Sequence, residues 1–179
     1  NVTPAGATSF SYLMPIFIIL FGILFSYAIF SSMFFVFFFF LTGILLLRPL
    51  AKFPEFVANN WRMKASNQMV LCIFYVVTYM RHTSNLEKAI EFASEHLAPP
   101  LSLDLKKVLW DVETEKYASV KESLDNYLET WKKWNIEFIE AFHLIEGSLY
   151  ESAEDRRLNS LDKALDVILE ETYEKMLHY

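Results

Sequence analysis

YLMPIFIILFGILFSYAIFSSMFFVFFFFLTGILLL, Tyr12 to Leu47, is a run of 36 residues without one charged side chain. The uncharged stretch reaches back to Asn1 and ends at Arg48, after which every Lys, Arg, Asp and Glu of the 179-residue chain is found. This segregation predicts a membrane protein, because apolar runs longer than about 18 residues suit a bilayer better than water. As one straight helix the run would extend about 54 Å, far beyond a hydrocarbon core of roughly 30 Å. A helical hairpin fits better, with spans near Tyr12 to Ile29 and near Met33 to Leu47 and the polar pair Ser31-Ser32 at the turn. One tilted span with an apolar overhang is the alternative. The Phe-rich stretch Phe34 to Phe40 reads as lipid-facing bulk.

A cleaved secretory signal is disfavoured. The apolar block is too long, no basic residue precedes it, and no small-x-small cleavage site follows it. Orientation is read from the flank: between residues 48 and 82, Arg48, Lys52, Arg62, Lys64 and Arg81 face only Glu55, a net charge of +4. The positive-inside rule then puts this flank, and the rest of the chain, in the cytoplasm, with Asn1 on the same side. The expected location is the cytoplasmic (inner) membrane, multi-pass.

The remaining 132 residues, Arg48 to Tyr179, are enough for one domain with its own core. Beyond residue 82 there are 11 basic and 21 acidic residues, net −10, which disfavours nucleic acid and anionic lipid as partners of that part. Proteins with basic patches suit it better. The single cysteine, Cys72, lies in the apolar run Met69 to Tyr79 and reads as a buried thiol, with no disulfide framework possible within the chain. Without an initiator Met, and with a helical pattern still running at Tyr179, the chain is expected to be a piece of a longer protein, residues 1–11 being a truncated stub.

After Pro100 there is no proline and only one glycine, Gly147, and nothing alternates with period two, so an all-α bundle of about six helices is predicted. The first runs from Pro54 to about Arg81, with its apolar centre, Met69 to Met80, as the buried central helix. The second starts at a capping box, Ser84-x-x-Glu87, and carries Leu86, Ala89, Ile90, Ala93 and Leu97 on one stripe before Pro99-Pro100. Ser102 is the expected cap of the third, with stripe Leu105, Val108, Leu109 and Val112. From the capping box Ser119-x-x-Glu122 onward, Leu124, Leu128, Trp131, Asn135, Phe138, Phe142, Ile145 and Leu149 follow in steps of four and three. Either this is one helix of roughly 30 residues, or Asn135 caps a fifth helix after a break near Trp134; the break is the preferred reading. The last helix starts between Ser152 and Asp155, with Leu158, Leu161, Leu165, Ile168, Tyr173 and Met176 along it.

Five segments carry a family likeness: Phe53-Pro54-Glu55-Phe56, Ser84-Asn-Leu-Glu-Lys-Ala89, Ser119-Val-Lys-Glu-Ser-Leu124, Ile139-Glu-Ala-Phe-His-Leu-Ile-Glu-Gly147 and Leu161-Asp-Lys-Ala-Leu165. Together with the hairpin and the basic flank, they resemble the F-family inner-membrane platform protein of type II secretion and type IV pilus machines, with its archaeal pilus and archaellum relatives. His82-Thr83 and Tyr117-Ala118 depart from the family's glycines before the second and fourth helices. The resemblance implies a non-enzymatic scaffold that contacts a hexameric secretion ATPase, pilin-like subunits and further copies of itself. It brings no catalytic residues.

Glu140-x-x-His143, extended by Glu137 and Glu146, has di-iron spacing, but no second Glu-x-x-His occurs and Glu174 and His178 are four apart; a solvated acidic face is the simpler reading. No glycine-framed serine or phosphate-cradling loop is present, and the surroundings of Cys72 are too apolar to favour a thiolate. Trp131, Trp134 and Tyr127 are either core or an aromatic platform, and Arg156-Arg157 beside Glu151, Glu154 and Asp155 reads as a salt-bridged helix start. No catalytic, cofactor or metal site is therefore expected. The rival readings are a membrane-anchored helical sensor facing outward and, more weakly, a membrane-bound di-metal oxidase.

Overall fold

The computed structural model describes residues 4–30 and 33–177, and every regular element among them is an α-helix. There are eight: α1 (Pro4–Phe30), α2 (Met33–Ser66), α3 (Met69–His82), α4 (Leu86–His96), α5 (Leu101–Glu113), α6 (Val120–Glu129), α7 (Ile136–Ser148) and α8 (Glu154–Leu177). They form two compact units, Asn1–Arg62 and Met63–Tyr179. The proposed turn at Ser31-Ser32 lies outside the described residues, as does His178.

In the first unit, α1 and α2 are both long and apolar enough to cross a membrane. Of the most apolar windows, 22% is buried in α1 and 6% in α2. A helix forming the core of a water-soluble domain would show the reverse. Phe17, Phe21 and Leu24 on α1 and Phe34, Phe37 and Leu45 on α2 are all exposed. The helices meet through glycines: a Cβ on Gly22 would lie 2.6 Å from the Phe39 ring, and one on Gly43 would collide with Ile19. The later glycine faces the earlier residue, so the two helices run antiparallel, and the missing side chains let the backbones approach.

Both apolar helices are longer than their predicted spans. α1 starts at Pro4 rather than near Tyr12, and α2 passes Leu47, Pro49 and Pro54 and ends at Ser66. Pro54 therefore does not open a helix. Its fixed φ is itself helical, so the helix continues despite the lost backbone bond and the crowding of the ring against the preceding turn, whereas stopping would require a new nucleus. The chain breaks at Asn67-Gln68 instead. The Asn67 N–H still donates to Met63 (3.1 Å), the Gln68 N–H tightens onto Ala65 (2.9 Å), and the Cys72 N–H donates to Gln68 (2.9 Å) to open α3. The helix predicted over Pro54 to Arg81 is thus two helices, separated by a polar Ser66-Asn67-Gln68 step that favours a turn.

The second unit holds one continuous core from Ala65 to Ile168. α3 packs against α4, α7 and α8 and buries Met69, Cys72, Ile73, Val76, Val77 and Met80. It is not enclosed on all sides, because Leu71 and Phe74 stay exposed. The stripe Leu124, Leu128, Trp131, Asn135, Phe138, Phe142 and Ile145 is buried throughout, although the chain is helical only to Glu129 and again from Ile136. Asn135 caps α7 by accepting from the Phe138 N–H at 2.7 Å, so the broken reading is the one observed.

The caps correct two expectations and support a third. Asn85, not Ser84, caps α4, accepting from the Lys88 N–H at 3.0 Å; this one-residue shift starts the helix on the buried Leu86. Ser102 does not cap α5 either. It is buried within the first turn, and Pro100 holds the cap position without a side-chain bond. At α6, Ser119 accepts from the Glu122 N–H (3.2 Å), and the Glu122 carboxylate accepts from the Ala118 N–H (3.0 Å). The turns before α4 and α6 contain no glycine. Thr83 is extended (φ −140°), which any residue adopts, and the left-handed position before α6 is filled by Glu115 (φ 57°).

Candidate functional site

α6 and α7 are joined by residues 130–135 and border an open groove of about 710 Å³, whose lining includes Tyr117, Asp125, Lys132, Ile139, Glu140 and His143. Apolar positions at Leu124, Leu128, Phe138 and Phe142 pack the two helices into the core. That packing fixes the opposite sides of both helices at the groove. Asp125 comes from α6, and His143 and Glu146 come from successive turns of α7. One ligand atom of each lies within 4.8 Å of the other two.

The three residues differ in solvation. The side chain of His143 is 58% exposed and that of Glu146 only 4%. Asp125 Oδ1 lies 3.8 Å from His143 Nε2, and Lys121 Nζ lies 3.6 Å from Glu146 Oε2, an ion pair without a close hydrogen bond. Glu146 Oε1 has no hydrogen-bond partner although it is buried. Burial, reinforced by the charge of Asp125 and opposed by Lys121, pushes the Glu146 carboxyl up to about 7. The same pairing raises Lys121 above its ordinary range. Lys121 Nζ also sits 5.4 Å above the Tyr150 ring, a second favourable place for its charge.

The Glu-x-x-His pair is therefore not the pair that the fold brings together. Glu140 lines the groove beside the cluster, but it is His143 and Glu146 that join Asp125. The expectation of a solvated acidic face fails at Glu146, because α7 rotates that position inward with Phe142 and Ile145. The spacing of His143 and Glu146 was visible in the sequence. The contribution of Asp125, 18 residues earlier than His143, was not.

Elsewhere the candidate residues take structural places. Cys72 is fully buried, and burial pushes its thiol up, away from thiolate character. Trp131 is core, whereas Trp134 is exposed, so with Tyr127 they make no single platform. The half-buried Tyr127 donates its hydroxyl proton to Asp104 Oδ2 (3.2 Å), and burial raises the Asp104 carboxyl.

Arg157 is more than a local salt bridge. It is buried, pairs with Glu154, and donates Nη1 to the Met80 carbonyl (2.6 Å) and Nη2 to the Arg81 carbonyl (3.2 Å). It therefore satisfies the C-terminal carbonyls of α3 from α8 and places a positive charge at the negative end of that helix. Arg81 and Asp162 pair beside it. Sequence alone offers no sign of this clamp, since its two ends are 77 residues apart.

No family model matches the chain, and no curated protein or solved structure matches it.

Proposed function

We propose that the chain is a non-enzymatic membrane platform of the kind found in type II secretion and type IV pilus machines, with α1 and α2 in the cytoplasmic membrane and the α3–α8 bundle in the cytoplasm. The observation that carries this reading is the outward display of large apolar side chains along both α1 and α2. Such a surface needs lipid or other apolar helices as its surroundings. The basic flank Arg48, Lys52, Arg62 and Lys64 supports the cytoplasmic side. On the bundle, Trp110, Trp134 and Ile136 are exposed and offer anchors for a protein partner, which in this reading is a hexameric secretion ATPase. Pilin-like subunits and further copies of the chain would meet the membrane helices.

The test is co-purification of the full chain, in detergent, with its cognate secretion ATPase, alongside a reporter fused after Tyr179. Retention of the ATPase, its loss on Trp110→Asp with the bundle still folded, and a cytoplasmic reporter would support the reading. A reporter on the far side of the membrane would overturn it. A second reading, a membrane-anchored ligand-binding domain, is favoured by one feature, the α6–α7 groove with its convergent polar groups. It requires the opposite reporter result.

A further inference from the structure

We propose that Asp125, His143 and Glu146 bind a divalent transition-metal ion of the zinc type, through one imidazole nitrogen and two carboxylate oxygens, at the edge of the α6–α7 groove. The ligand set suits such an ion, since zinc accepts His and Asp/Glu donors together and tolerates an open position for water. The separations suit it too. Tetrahedral ligands at about 2.05 Å from an ion are about 3.3 Å apart, and Asp125 Oδ1 and His143 Nε2 are already 3.8 Å apart. All three ligand atoms fall within 4.8 Å of one another.

The buried carboxylate supplies an independent reason. Glu146 is 96% removed from solvent at its side chain, and its Oε1 has no protein hydrogen-bond partner. A carboxylate left in that state beside a second carboxylate, Asp125, is costly. Lys121 compensates only in part, reaching Oε2 at 3.6 Å and leaving Oε1 unanswered. A divalent ion would engage the Glu146 carboxylate and neutralise both acidic groups, and Lys121 could release its partner because the Tyr150 ring already lies 5.4 Å from Nζ. Access is available. Asp125 and His143 both line the groove, and His143 is exposed. The site is built on two packed helices, which is the rigid support that metal ligands require.

The experiment is calorimetric titration of Zn2+ into the chelator-treated full chain in detergent at pH 7.5, repeated with Co2+ to read the ligand-field spectrum. One ion per chain is expected, with a Co2+ spectrum that changes when His143 is removed. His143→Ala, at an exposed position, should weaken binding at least about 10-fold, no less than loss of an outer-shell group costs. Asp125→Asn should do the same. Lys121→Met should bind as tightly or more tightly, because it removes a competing cation. Absence of stoichiometric binding, equal affinity in His143→Ala, or weaker binding in Lys121→Met would each overturn the proposal. So would a preference for Mg2+ that ignores His143.

Discussion

Phe37 and Phe138 are the same residue in two helices of opposite construction. In α2, Phe37 is 66% exposed among Phe34 and Phe38, and in α7, Phe138 is fully buried against Trp131 and Phe142. Up to Leu47 the first unit is apolar on all its faces and keeps little of that surface to itself. The second places apolar residues at steps of three and four and hides them together. On the membrane reading proposed above, the difference is one of solvent. Where lipid surrounds a helix, apolar groups need no interior, and close contact is left to small residues such as Gly22 and Gly43. Where water surrounds it, the hydrophobic effect sorts residues by face.

The comparison breaks most readily at the bundle core. Phe138→Ala and Phe142→Ala should each cost the bundle about 3–5 kcal/mol, because the cavity cannot refill. Phe37→Ala should leave bundle unfolding within about 0.5 kcal/mol of wild type. Denaturant unfolding of the full chain in detergent, followed by near-ultraviolet circular dichroism, separates the two. Equal effects would mean that the regions do not differ as described.

Next in size is the clamp between α8 and α3. Arg157→Met should cost about 2–4 kcal/mol, since the Met80 and Arg81 carbonyls lose their donors. Arg156→Met, with an exposed partner in Glu151, should cost less than about 1 kcal/mol. Thermal unfolding of both variants checks the contrast. In chelator, Glu146 should give the bundle a pH dependence. Its folded value of about 7 lies above the ordinary 4.5, so the folded state holds the extra proton. Stability is then fully present below about 4.5 and is lost as pH rises through 7, by an amount on the order of 3 kcal/mol. Asp125 and Lys121 from α6 and His143 from α7 share that environment. Glu146→Gln isolates its part by flattening the component of the slope that belongs to it.

The smallest effects sharpen the cap assignments. Asn135→Ala and Asn85→Ala should each cost about 1 kcal/mol, and Ser84→Ala close to nothing. Glu115→Gly should stabilise by up to about 1 kcal/mol, because φ 57° is strained for any residue with a Cβ. Chemical denaturation midpoints suffice for all four.

Several of these features were legible in the residues themselves. The charge-free run through Leu47 marks two apolar helices, and the four-three stripe from Leu124 to Ile145 marks the buried face of α6 and α7, down to the cap at Asn135. Both are local periodicities, and burial follows from local pattern wherever one face must leave water. Helix ends were less legible. Pro54 and Ser84 are good starting residues in isolation, yet α2 ran through the one, where stopping would have required a new nucleus, and α4 started after the other, where the buried Leu86 set the first turn.

The candidate site lay further out of reach. His143 and Glu146 are a visible pair, but nothing in the sequence joins them to Asp125 or sinks Glu146 out of water. Nor does anything local join Arg157 to Met80. By itself the sequence determined that the chain is helical, that its first two helices are free of charge through Leu47, and which stripes form the core, because each of these depends on residues within a few turns of one another. Only the tertiary structure decided which polar groups meet across helices. Those meetings depend on the rotation and packing of whole elements, and burial then changes the charge state that the same side chains would keep in water.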